Sequence, residues 1–248
     1  MKGTRPLMND EIRRVLTCFD GTFAIRNRCL FLLGVSTGGR ISELLGLRLR
    51  DVYQNDAPVT DLLFDRSIVK GKETSRAVPM NSDGILAIQE IIKWHQEQYG
   101  VPLTMSRPLF PSRNGQGTQP MTRKSAHLIL KDAFKKAGLN GKLATHSMRK
   151  SYAQRLYEQT NDIYTVREML GHNDVKTTQS YLGVNYTKLR QASEAMSLMA
   201  DKPKGNISTS VGEAADEILF GELVRRGYDP GEMVNKKGIR NMSASAVA

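Results

Sequence analysis

The sequence predicts a mainly α-helical domain with a small antiparallel β-sheet, an α+β arrangement, and three observations predict it. Apolar residues recur at spacings of three and four through most of residues 9–170, as in helices that bury one stripe. Between residues 62 and 80 the pattern changes to two short runs, LLFDRSIV and SRAVPM, on either side of KGKE, which reads as two strands and a tight turn. Gly and Pro gather mostly between the periodic segments.

Taken in order, Asn9 or Asp10 can cap a first helix that runs through Cys18. A second helix covers about 23–36, rich in Leu, Phe and Val, and Gly38-Gly39 break it. A short helix then carries Ile41 to Gly46, and the two strands follow. Helices resume over 82–98, where Ile85, Ile88, Ile91, Ile92 and Trp94 share a face, and over 122–137, ended by Gly138. The stretch between them, VPLTMSRPLFPSRNGQGTQP, is a loop. Further helices span Ser147 to Glu158 and Asp162 to Leu170, leaving Gly171-His172-Asn173 as a turn.

A chain of 248 residues with 40% hydrophobic content can bury a core. Its formal charge of +11 and pI near 9.7 favour a polyanionic partner, either nucleic acid or an acidic membrane surface. No stretch approaches the roughly 18 uninterrupted apolar residues of a spanning helix, and MKGTRPLMNDEI lacks the apolar core of a signal peptide. The expectation is a cytoplasmic protein with no membrane partner. Cys18 and Cys29 fall among helix-like apolar positions and read as reduced thiols, so neither a disulfide framework nor a cysteine metal site is indicated.

Charge also divides the chain. From Asp201 onward seven basic residues face seven acidic ones, so the whole excess lies in residues 1–200, the expected DNA-facing domain. DKPKGNISTS, residues 201–210, reads as a linker. Residues 211–248 hold one short amphipathic helix, with Ile218, Leu219, Leu223 and Val224 on a common face, and a polar tail.

Three segments combine Gly, Arg and His in ways a core does not require: TGGRISELLGL around Arg40, ATHSMRKSYA around His146 and Arg149, and LGHNDVKTTQSYL around His172 and Tyr181. Each residue taken alone has an ordinary role. An arginine is usually a solvated surface group or a phosphate contact, a His after Gly is a turn residue, and a Tyr sits at amphipathic boundaries. In this order and spacing the segments resemble the signature boxes of the tyrosine recombinase and integrase catalytic domain: G-x-R-x-x-E-L, H-x-L-R-H, and L-G-H followed nine residues later by Tyr. The resemblance spans about residues 5–190 and includes the intervening hairpin.

The resemblance implies the tyrosine recombinase catalytic-domain fold and a reaction that cuts and rejoins DNA through a covalent phosphotyrosine at Tyr181. Arg40 and Arg149 would offer fixed guanidinium charge to the non-bridging oxygens of a crowded phosphorane-like state. His146 is three residues before Arg149, one helical turn away, and would donate to a phosphate oxygen or help remove the tyrosine proton. His172 would be a further donor, and Glu43 would support the site. The family's general acid is a lysine on the hairpin, for which the turn offers Lys70 and Lys72. Pro79 is nine residues from Lys70 and seven from Lys72, where the family commonly has eight, so the pair stays open with a lean to Lys70. Lys150 stands where the family commonly has the second His of the H-x-L-R-H box.

Because the phosphotyrosine bond conserves the energy of the broken phosphodiester, the resemblance implies neither ATP nor metal. The sequence has no Walker loop and no clustered carboxylates of a two-metal nuclease. Its implied partners are double-stranded DNA, three further copies of the chain in a homotetramer on synapsed DNA, and possible accessory DNA-bending proteins. Thirty-nine residues precede Arg40, too few for the helical DNA-clamping domain that many family members carry. The expectation is either a piece of a longer protein or a compact recombinase, with weak DNA binding in isolation. A topoisomerase-like nicking and closing enzyme and a non-catalytic DNA-binding protein of the same fold are the alternatives, and the C-terminal helix could dock in trans.

Overall fold

In a computed structural model, residues 3–65, 75–182, 193 and 196 are described. The chain divides into two compact units, residues 1–184 and 185–248, and all the elements below lie in the first. The KGKE turn with Lys70 and Lys72, the linker at 201–210 and the helix expected after residue 211 lie outside the described residues.

Helix α1 covers Asn9–Leu16. Its cap is Met8 rather than the expected Asn9 or Asp10, because the Glu11 carboxylate reaches back to accept the Met8 N–H at 2.9 Å. It also ends before Cys18, whose N–H donates to Val15 O at 3.0 Å in a tightened last turn. Helix α2, Ala24–Thr37, buries Cys29, Leu30, Phe31, Leu32, Leu33 and Val35, so it is apolar nearly all round and forms the centre of the unit. It packs against α5, Ser82–Tyr99, and α7, Thr145–Thr160. From α5 come Ala87, Ile88, Ile91, Ile92 and Trp94, while Ile85, expected on that face, is half-buried.

Helix α3, Ile41–Gly46, stands where expected. A one-turn α4, Leu49–Val52, and a hairpin of β1, Tyr53–Gln54, with β2, Ala57–Pro58, were too short to show a period in the sequence. Asn55 and Asp56 form that hairpin's turn with φ of 50° and 57°, which Asn and Asp tolerate. Strands β3, Asp61–Phe64, and β4, Arg76–Pro79, pair antiparallel with Leu62 opposite Val78 and Phe64 opposite Arg76. Leu62, Phe64 and Val78 point into the core.

Helix α6, Arg123–Lys136, is capped by Thr122, whose hydroxyl accepts the Ser125 N–H at 3.1 Å. Helix α7 begins at Thr145, two residues before the expected Ser147, so His146 is inside its first turn. Helix α8, Ile163–Leu170, starts one residue after the expected Asp162, which caps it instead. A further helix not read from the sequence, α9 at Val175–Leu182, carries Tyr181.

Two close approaches hold this arrangement. A Cβ on Gly34 would meet Met148 Sδ at 2.8 Å, so α7 crosses α2 where α2 has no side chain. Gly38 caps α2 with φ +65°, and a Cβ there would meet Tyr152 Cδ1 at 2.4 Å. Gly38→Ala is therefore both strained and crowded, and urea unfolding should show a loss of about 2 kcal/mol.

Candidate active site

The site is built around a carboxylate. Glu43, 0% exposed, lies in the first turn of α3, where its Oε2 accepts the backbone N–H of Arg40 at 2.8 Å and its Oε1 accepts the Arg40 guanidinium at 2.8 Å. From β4, Arg76 forms a fork with both oxygens, at 3.0 and 2.6 Å. Burial alone would raise the Glu43 pKa, but the Arg76 and Arg40 contacts hold it down at about 2. The Arg76 Nε–H donates to Met169 O at 3.1 Å, tying β4 to α8, and its guanidinium lies 4.5 Å from the Phe64 ring centroid.

Arg149 is 1% exposed on α7. Its two Nη groups donate to Gly38 O at 2.7 Å and Leu170 O at 2.5 Å, so one guanidinium joins the α2–α3 turn to the end of α8. Among the described residues its Nε–H has no partner. Burial, then the charges of Arg40 and Arg76, lower its pKa to about 10, which leaves it protonated at neutral pH.

His172 is 8% exposed and sits in the α8–α9 turn, where Gly171 has φ +62° and the His172 N–H donates to Arg167 O at 3.0 Å. Its Nδ1 lies 3.0 Å from Thr178 Oγ1, and its ring meets the Tyr181 ring edge-on with centroids 5.0 Å apart. Burial, then the charges of Arg149, Arg40 and Arg76, depress its pKa to about 4, so the ring is neutral at pH 7. His146, half-buried, is likewise lowered by burial and then by Arg149, Lys150 and Arg40. The fold thus brings Arg40, His146, Arg149, His172 and Tyr181 into one electrostatic cluster, although they come from three separate stretches of chain. Lys70 and Lys72 fall outside the described residues.

Sequence reasoning missed Arg76 as a site member; its place at the first position of β4 was the available signal. It missed Thr178, a polar residue in a stretch not read as a helix. Lys150 donates to Thr4 O at 2.8 Å and sits 5.5 Å from the Tyr181 ring centroid. Among the described residues no group of three His, Cys, Asp or Glu could hold a metal ion, and no helix is long and apolar enough to cross a membrane. A surface cleft of about 590 Å³ lies beside the end of α6, lined by Leu128, Phe134, Leu139 and Leu143 among others, and contains no member of the cluster. A duplex recognised through its backbone requires an open cationic face rather than a cavity.

The sequence model of the phage integrase family matches residues 5–188. Tyrosine recombinase XerC of Halalkalibacterium halodurans is 32% identical over 190 residues, covering 74% of this chain and 59% of that protein. Tyrosine recombinase XerD of Mycobacterium tuberculosis is 32% identical over 182 residues, covering 69% of this chain and 52% of that one. The chain thus spans between half and three-fifths of the length of these relatives. Among solved structures, XerA recombinase superposes with a TM-score of 0.61 at 21% identity, covering 78% of this chain and 64% of that one. XerH in a post-cleavage complex with its palindromic difH substrate superposes at 0.59 with 26% identity, covering 77% and 52% respectively.

Two outcomes follow from the electrostatics. Glu43→Gln keeps the shape but leaves the guanidiniums of Arg40, Arg76 and Arg149 without their shared counter-charge, and should cost about 3 kcal/mol in urea unfolding. His172 and the core residue His95, whose burial also lowers it, both have pKa values near 4 against an ordinary 6.5. The unfolded chain therefore binds more protons between those values. Stability is full above pH 6.5 and falls as pH drops toward 4, so Tm should decline across that window, and His95→Gln should flatten part of the decline.

Proposed function

This chain belongs to the phage integrase family, and on that premise we propose that it is a site-specific DNA recombinase whose Tyr181 forms a covalent 3′-phosphotyrosine link. The observation that carries the reading is the convergence of Arg40, His146, Arg149 and His172 on the tyrosine-bearing end of the fold. The phenolic oxygen of Tyr181 attacks the phosphorus; the new P–O bond forms as the bond to the 5′ oxygen breaks. Neutral His146 is competent to take the phenolic proton. The leaving 5′ oxygen takes a proton from Lys70 or Lys72. Religation reverses these steps with a different 5′ hydroxyl, so integration, excision and inversion share one chemistry.

Arg40 and Arg149 neutralise charge that grows on the non-bridging oxygens, and the Nε–H of Arg149, unmet among the described residues, is a donor that a phosphate oxygen would satisfy. His172 adds a neutral donor. Its depressed pKa suits that role, since a neutral imidazole donates one N–H without adding another cation to the cluster. XerH, solved after cleavage of its difH substrate, supports the same bond-breaking step for this chain. Double-stranded DNA is the partner, with a homotetramer on synapsed sites and DNA-bending accessory proteins as the natural assembly.

Covalent trapping tests the reading. A nicked suicide duplex drawn from DNA flanking the gene, incubated with protein and resolved on a denaturing gel, should give a DNA-linked protein band with wild type. Tyr181→Phe should give none while keeping duplex affinity within about twofold, since one hydroxyl is lost and the ring stays. An equal band from Tyr181→Phe would reassign the nucleophile.

A further inference from the structure

Thr178 occupies an unusual position for a hydroxyl on a short helix. It is 0% exposed, it is the one residue α9 buries, and it stands three residues before Tyr181, one helical turn along the same helix. Its Oγ1 lies 3.0 Å from His172 Nδ1. A Thr in a first-to-middle helical turn ordinarily faces solvent or returns its hydroxyl to its own backbone; here the hydroxyl meets an imidazole.

We propose that Thr178 is a positioning residue that sets the tautomer of His172, its hydroxyl donating to Nδ1 so that the ring proton resides on Nε2 for a phosphate oxygen. The inference rests on the reading of His172 as a phosphate donor and deepens it. A neutral imidazole carries a single proton, and a hydroxyl at Nδ1 can either donate or accept, so the direction of that bond decides which nitrogen bears the proton. If Nδ1 held the proton, Nε2 would turn a lone pair toward the incoming phosphate, and two acceptors would face each other. With the Thr178 O–H donating to Nδ1, Nε2 becomes a donor instead. The hydroxyl's place on the nucleophile helix adds a consequence: the donor is correctly prepared only while α9 is docked with Tyr181 beside the His172 ring at 5.0 Å. Seating the nucleophile and arming the oxygen donor are then one event. The neutral state that this requires agrees with a ring buried among the charges of Arg149, Arg40 and Arg76.

Thr178→Val and Thr178→Ser separate the hydroxyl from the packing. Val keeps the shape and removes the donor; Ser keeps the donor and removes a methyl. In single-turnover trapping on the suicide duplex, Val should slow covalent attachment roughly tenfold or more at unchanged duplex affinity, and Ser should restore it to within about threefold of wild type. In a His172→Ala background the Val substitution should add no further loss, because the residue it acts through is gone. Equal rates for Val and wild type, or an undiminished Val effect without His172, would overturn the proposal. Should Val fail to fold, ¹⁵N spectra of the imidazole in the wild-type full chain decide it: an Nε2–H tautomer is expected, and Nδ1–H refutes it. If wild type forms no covalent band while the spectra give Nε2–H, it is the proposed function that fails and not the tautomer assignment.

Discussion

A carboxylate with no access to water must have its charge met by protein, and Glu43 is met by two guanidiniums from different parts of the chain. That requirement fixes Arg40 at the start of α3 and draws Arg76 in from β4. Arg76 in turn reaches Met169 O and Arg149 reaches Leu170 O, so the end of α8 and the turn bearing His172 hang from the same cluster. Arg40, Arg76 and Arg149 outnumber Glu43, the one buried acid among the described residues. In the proposed reaction, a phosphodiester passing to a pentacoordinate state would gain negative charge where the cluster has an excess of positive charge. The arrangement therefore holds its cations in place before any substrate arrives, with the carboxylate as their anchor.

The same cations decide the protonation of their neighbours. His172 and His146 are both pushed toward the neutral form by burial first and by adjacent guanidiniums second. Proximity to several arginines keeps an imidazole from competing with them as a cation. It leaves the ring free to exchange or donate a single proton, which is a division of labour between fixed charge and mobile proton.

Long elements were legible in the sequence because a stripe repeated over several turns averages out local exceptions: α2, α5 and α6 fall within a residue or two of expectation. The signature residues were legible through a resemblance rather than through periodicity. What escaped was short or depended on a partner distant in sequence. Helix α1 takes its cap from Glu11, so Asn9 and Asp10, good caps by type, became first-turn residues. Helix α4 and the β1–β2 hairpin offer too few residues for a period, and α9 buries only the polar Thr178, so it shows no apolar stripe. Arg76 and Thr178 reveal their roles only against Glu43 and His172, which lie 33 and 6 residues away.

Under the proposed function, the shortness of α9 bears on how Tyr181 would be both placed and released. Tyr181 does not belong to the main core. It packs with Leu182, Tyr152, Leu156 and Tyr157 around a satellite cluster of three buried residues, Ala153, Val166 and Leu170. Stability in a protein is not uniform, and a segment with little buried apolar surface opens at far lower cost than the global fold. Arg40, Arg149 and Glu43, by contrast, are fastened to α2, α3 and α7. In the proposed reaction the charge-stabilising groups would stay constant while the nucleophile engages and disengages, and this fold separates the two sets of residues: the cations are tied to the core, and Tyr181 belongs to an outlying helix held by a small contact and one buried hydroxyl.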